Sequence, residues 1–179
     1  VQADTVNPEE KTDYTTYIQT VYNRENGLPG GCANDIAQTA DGILWIGTYG
    51  GLYRYNGNEF QWMDEFESVK TVNCLYTDEE GRLWIGTNDS GLSICINETI
   101  TNVVSEKDGL TADSVRCITQ SSDGDYYVGT SGAMSILTLA GGLSVKDTIP
   151  EIIYANSIDS DQNGNIAVVT DEGRLYLIR

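Results

Sequence analysis

Four polar residues hold the same place in a repeating pattern. Asn34, Asn73, Arg116 and Asn156 each stand eight residues before a glycine that reads as a hairpin turn, at Gly42, Gly81, Gly124 and Gly164. A carboxamide offers donors and an acceptor on one head, and a guanidinium offers a planar fork of donors. Gathered around one space, such groups suit a polyhydroxylated or an anionic ligand. Left at their strand starts, they would instead bond to neighbouring backbone. Tyr49, in the loop after a predicted second strand, joins these four as a candidate ligand contact, and Asn88 and Asp89 lie in the matching loop of the next repeat.

Other chemistries fare less well. The chain has no histidine, so the commonest general base, the commonest metal ligand and every Ser-His-Asp or Cys-His arrangement are missing. Paired carboxylates could hydrolyse sugars. However, Asp41, Asp78, Glu80, Asp123 and Asp161 recur at the hairpin position, which points to turn chemistry and away from a unique catalytic pair. Asp159-Ser160-Asp161-Gln162-Asn163-Gly164 has the first half of a calcium-loop pattern, but position twelve is Thr170 where such a loop uses a bidentate Glu. The four cysteines, Cys32, Cys74, Cys95 and Cys117, match no zinc spacing. Cys74 and Cys117 occupy equivalent repeat positions and could approach each other, although buried free thiols filling core gaps are the expected state. No catalytic residue, metal or cofactor is expected.

The elements that carry these residues are legible from a phrase. Leu44-Trp45-Ile46-Gly47-Thr48 returns as Leu83-Trp84-Ile85-Gly86-Thr87, then as Tyr126-Tyr127-Val128-Gly129-Thr130, and in worn form as Ile166-Ala167-Val168-Val169-Thr170. A period of about 40 residues built of short strands and glycine turns is that of a β-propeller blade. The phrase is a near-continuous apolar run, as expected of a strand covered on both faces. Trp45 and Gly47 alternate to one face and Leu44 and Ile46 to the other, so the tryptophan is core material and the glycine leaves room for a neighbour. The fold class is therefore all-β: a propeller of about four blades, each of four antiparallel strands, over about 33–62, 71–104, 112–146 and 152–179.

Residues 1–13 are mostly polar and are expected to be a flexible N-terminal segment. Residues 14–22 read as a lone outer strand, and repeat four shows no fourth strand before Arg179. That strand would complete blade four of a closed ring or the last blade of a larger one. A larger ring is expected, with apolar blade faces at both ends needing another copy of the chain or missing blades. The net charge of −17 argues against nucleic acid and against anionic membrane surfaces, and no apolar run is long enough to span a bilayer.

The pattern Asn26-Gly27-Leu28-Pro29, Ile36, Asp41-Gly42, Leu44 to Thr48 and Gly51-Leu52-Tyr53-Arg54-Tyr55 resembles the two-component regulator propeller repeat. The resemblance covers roughly 14–179, densest in the first two repeats. It implies an extracytoplasmic sensor region, periplasmic or at the cell surface, of a bacterial signalling receptor. In that family the propellers precede a membrane span and an output module, often a histidine kinase or a diguanylate cyclase, neither of which is in this chain. Many members detect carbohydrates or other nutrients, and rings of this repeat usually need more than four blades. The resemblance fixes no ligand-binding residue. A stand-alone secreted propeller that binds carbohydrate or protein is the alternative, and a glycoside-active propeller enzyme a further one.

Overall fold

The computed structural model describes residues 20–28, 32–161 and 163–179. The chain divides into two units, residues 1–30 and 31–179. In the first, the described residues form a 3-10 turn, Arg24–Asn26, followed by a Leu28 N–H bond to the Asn23 carbonyl (3.0 Å). The expected segment 1–13 and most of the expected strand 14–22 lie outside the described residues; Thr20, Val21 and Tyr22 are irregular.

The second unit is strand and turn apart from one short 3-10 helix, Glu106–Asp108, between the second and third sheets. Blade 1 is β1 (Ala33–Gln38), β2 (Leu44–Thr48), β3 (Gly51–Tyr55) and β4 (Phe60–Trp62). Blade 2 is β5 (Val72–Thr77), β6 (Leu83–Thr87), β7 (Leu92–Ile96) and β8 (Thr99–Val104). Blade 3 is β9 (Val115–Gln120), β10 (Tyr126–Thr130), β11 (Ala133–Thr138) and β12 (Ser144–Ile153), and blade 4 is β13 (Ala155–Ser160), β14 (Ile166–Thr170) and β15 (Leu175–Ile178). Each sheet is antiparallel in chain order, and the blades pack in sequence through their first strands. No comparable packing joins blade 4 back to blade 1 among the described residues.

One feature departs from the boundaries read in the sequence. β12 runs to Ile153, past the predicted limit of blade 3 at 146, and takes in residues 152–153 that the pattern assigned to blade 4. Pro150 hides this strand in the sequence, yet β12 is the edge of its sheet, where a missing N–H costs no ladder bond. Blade 4 contains three described strands where the others have four, as read from repeat four in the sequence.

The register shows why the phrase repeats. Ile36 faces Ile46, Leu75 faces Ile85, Ile118 faces Val128 and Ile158 faces Val168. Hairpin glycines 42, 81, 124 and 164 all sit at φ between +79° and +89°, a region that favours residues without a Cβ. The second-strand glycines are needed for a different reason. A Cβ on Gly47 would lie 2.5 Å from Cγ1 of Val72, one on Gly86 2.7 Å from Cγ1 of Val115, and one on Gly129 2.6 Å from Cβ of Ala155. Each glycine is thus a notch that receives the first-strand residue of the next blade. Beside each notch a tryptophan or tyrosine fills the joint: Trp45 packs with Leu83 between blades 1 and 2, and Trp84 stacks on Tyr126 between blades 2 and 3 at a centroid distance of 3.9 Å. Ile152, Ala155, Ile166 and Val168 form the smaller third joint.

Candidate ligand-binding site

Every first strand carries one extra residue near its start. The register slips between Ala33 and Asp35, between Val72 and Cys74, opposite Gly129 and Thr130, and between Ala155 and Ser157. The residues left over are Asn34, Asn73, Arg116 and Asn156, which are the four polar residues singled out by their spacing. A bulge releases its residue from the alternation of the ladder and re-aims its side chain. Here the four bulges bring their residues, with Tyr49, to the lining of one open cleft of about 720 Å³.

Within the cleft the five residues differ in what they have left to offer. Nδ2 of Asn34 donates to the Val72 carbonyl (2.7 Å), and Nδ2 of Asn73 donates to the Val115 carbonyl (3.0 Å), so both amides latch their own blade to the next. Arg116 departs from that rule. Its guanidinium donates to Oδ1 of Asn156 (3.1 Å) and forms an ion pair with Asp171 (2.9 Å), both half-open to solvent. Asn156 and Tyr49 are exposed.

The cleft also takes in Asn88, from the loop that matches that of Tyr49, and Asp35 and Ser114, which the spacing did not single out. Asn88 accepts from the Ser114 hydroxyl (3.4 Å), and Oδ2 of Asp35 accepts the Leu75 N–H (2.8 Å). Ser114 was not singled out, and neither was Asp171, which reaches the site through Arg116 although it follows Thr170 as Tyr49 and Asn88 follow Thr48 and Thr87. Cys74 and Cys117 border the cleft as free thiols. Burial raises both, Cys117 to about 12 and Cys74 well above its ordinary value, so they stay protonated at neutral pH and are poor nucleophiles or metal ligands. Their sulfurs pack against Gly129 and Gly86 of the adjoining strand, which makes them fillers of the notches.

The hairpins are built differently. Oδ1 of Asp41 accepts the Thr39 hydroxyl (2.6 Å), Thr39 in turn accepts from the Trp45 indole (3.0 Å), and Asp161 accepts the N–H groups of Asn163 and Asn165. In blade 2 the role passes to Asp78, whose side chain is fully buried. It accepts from the Trp84 indole (2.7 Å), Nε of Arg82 (2.6 Å) and the Tyr126 hydroxyl (3.0 Å). Burial alone would raise its pKa, but bonds from Trp84, Arg82 and Tyr126 outweigh that and hold the carboxyl below its ordinary value. Asp161 is committed to its own turn, and no group of three metal-ligating side chains converges among the described residues. Gln162, in the calcium-like stretch, lies outside them.

Four antiparallel blades stacked through their first strands, with a polar cleft at the bulged strand starts, define a β-propeller array. Residues 27–50, 67–89 and 109–132 match the two component regulator propeller family, so these three stretches are similar to that family's repeats. No curated protein sequence matches it. Among solved structures, it is similar to the extracellular domain of a protein of B. thetaiotaomicron described as a hybrid two-component system, at 17% identity and a TM-score of 0.70 over 84% of this chain and 24% of that one. A second structure, an extracellular domain from the same organism described as part of a one component system, matches at 24% identity and a TM-score of 0.68 over 87% of this chain and 22% of that one. Virginiamycin B lyase from Staphylococcus aureus shares the fold at 15% identity and a TM-score of 0.55, over 83% and 55% of the two chains. At these identities the likeness is one of fold. The chain spans about a quarter of the length of the two extracellular domains. Among the described residues no helix is long and apolar enough to cross a membrane.

Proposed function

We propose that this chain is the ligand-sensing part of an extracytoplasmic propeller in a bacterial two-component-type receptor, and that its cleft binds a neutral oligosaccharide without transforming it. The observation that carries this reading is the coincidence of four strand bulges with four hydrogen-bonding side chains on one concave surface. The match to two-component regulator repeats and the resemblance to extracellular domains of signalling proteins supply the context.

A neutral ligand is favoured over an anionic one for two reasons. Arg116 already faces the carboxylate of Asp171, and a chain of net charge −17 repels anions at long range. A sugar can add its hydroxyls to the Arg116–Asn156–Asp171 group without breaking the ion pair, and Tyr49 offers an exposed ring against which a pyranose can lie. A non-catalytic role is supported by the occupation of the nearby carboxylates: Asp35 holds Leu75, and Asp171 holds Arg116. Binding would alter blade packing or the geometry between copies, and a domain outside this chain would read that change.

Calorimetric titration with neutral and uronic-acid oligosaccharides tests the reading. At least one neutral oligosaccharide should bind saturably, and Arg116→Ala should weaken it about tenfold or more, as expected when a charge-assisted hydrogen bond is lost. Binding confined to the acidic series would overturn the ligand class, and binding indifferent to Arg116→Ala and Asn156→Ala would overturn the site.

A further inference from the structure

Three positions repeat at every joint between blades, and all three change identity at the third joint. The residue that enters the second-strand notch is Val72 at Gly47 and Val115 at Gly86, but Ala155 at Gly129. The second-strand aromatic is tryptophan at the first two joints, Trp45 and Trp84, 3% and 0% exposed, and is the half-buried Tyr127 at the third. The bulge residue is an asparagine at the first two, whose amide donates to the carbonyl of the entering valine, and is Arg116 at the third. None of these identities depends on what covers the far face of blade 4.

Each change trades buried contact for contact open to water. Alanine brings two fewer methyl groups to the notch than valine, and a phenol brings less apolar surface than an indole. At the hairpin end the third joint is linked by hydroxyls, Ser160 on the Gln120 carbonyl (2.9 Å) and on Thr119 (3.0 Å). The second joint has the buried Asp78 carboxylate on Tyr126 in that place. At the cleft end the Arg116 guanidinium bonds side chains of blade 4, Oδ1 of Asn156 (3.1 Å) and the Asp171 carboxylate (2.9 Å). A backbone carbonyl is a fixed acceptor, whereas a half-exposed carboxylate is shared with water and screened by salt.

From these three correspondences we infer that the joint between blades 3 and 4 is the compliant seam of the array, closed at the cleft by Arg116 as a releasable clasp. A seam with fewer buried apolar contacts opens locally at a lower free energy than the whole chain unfolds. The other two joints, with valine in the notch, a buried tryptophan and an amide on the backbone, stay shut. Arg116 stands on one side of the seam and Asn156 and Asp171 on the other, so an occupant of that end of the cleft touches blades 3 and 4 together. That link to sensing rests on the oligosaccharide reading; the seam itself does not.

Hydrogen exchange of the 179-residue chain, read by mass spectrometry with no saccharide present, tests the inference. Arg116→Ala should speed exchange in β13 and β14 about fivefold, the factor that an ion pair of about 1 kcal/mol gives, and leave β5 and β6 unchanged. Arg116→Asn supplies the amide that closes the other joints, with the Ala155 carbonyl as its acceptor, and should return β13 and β14 to the wild-type rate or below it. High salt should close the gap between the wild type and Arg116→Ala, because it screens an ion pair, and should preserve the gap between Arg116→Asn and Arg116→Ala. Equal acceleration in β5, β6, β13 and β14 would show global destabilisation and overturn the seam. Unchanged exchange in β13 and β14 on Arg116→Ala, or an Arg116→Asn chain that exchanges like Arg116→Ala, would overturn the clasp. Since no saccharide takes part, failure here is distinct from failure of the oligosaccharide reading.

Discussion

The two rims of the array use polar side chains in opposite ways. At the hairpin rim, the recurring aspartates are consumed within their own turn or their own joint: Asp41 by Thr39, Asp161 by Asn163 and Asn165, Asp78 by Trp84, Arg82 and Tyr126. At the cleft rim, a bulge in each first strand releases one polar side chain from the ladder. Two of these, Asn34 and Asn73, go to hold the next blade, while Arg116, Asn156 and Tyr49 keep exposed surface. Repetition of one residue type at one position therefore marks a structural task. The departure from it, arginine among asparagines, marks where the surface differs from its own repeats.

If that contrast is right, damage to the hairpin rim should unfold the protein, and damage to the cleft rim should leave it folded and blind. The largest effect expected is that of Trp84→Ala, which empties the space stacked on Tyr126 and should cost about 3–5 kcal/mol in denaturant unfolding. Asp78→Asn removes a buried charge from a guanidinium and should cost about 3 kcal/mol. The same carboxylate predicts a pH dependence. Its pKa is lowered in the folded chain, so its contribution is complete above the unfolded value of about 4 and is lost as pH falls through the lower folded value. Asp78→Asn should make acid unfolding less steep in that range, and an unchanged acid limb would remove Asp78 from the account of the joint.

Smaller effects belong to the cleft. Asn73→Ala loses one interblade hydrogen bond and should cost about 1 kcal/mol. Arg116→Ala breaks a half-exposed ion pair, worth about 0–1 kcal/mol to stability, and should show itself in ligand affinity instead. Tyr49→Ala should change stability by no more than about 0.5 kcal/mol. A melting loss at Arg116 or Tyr49 comparable to that at Asp78 would erase the distinction between the rims.

Much of this was legible before any coordinates. The Leu-Trp-Ile-Gly-Thr phrase placed the second strands, and eight-residue spacing from the hairpin glycine found all four bulge residues. What stayed hidden depends on distance along the chain. Asp78 reads as one more turn residue, because its bond to Tyr126 crosses 48 positions and blade 1 has Thr39 in its place. Asp171 follows Thr170 as Tyr49 and Asn88 follow Thr48 and Thr87, but it acquires its role only through Arg116, 55 residues away. The spacing could not say whether Asn34 and Asn73 serve a ligand or a neighbouring blade, since a bulge aims both kinds of contact alike, and the carbonyls of Val72 and Val115 settle where their amide nitrogens donate.

The most direct test of the central contrast is side-chain and backbone nitrogen NMR during titration with a neutral oligosaccharide. The account predicts shifts in the Arg116 guanidinium, the Asn156 carboxamide and the Tyr49 amide, with the hairpin amides of Gly42, Gly81 and Gly124 unmoved. Shifts gathered at those hairpins, with Arg116 and Asn156 silent, would contradict it.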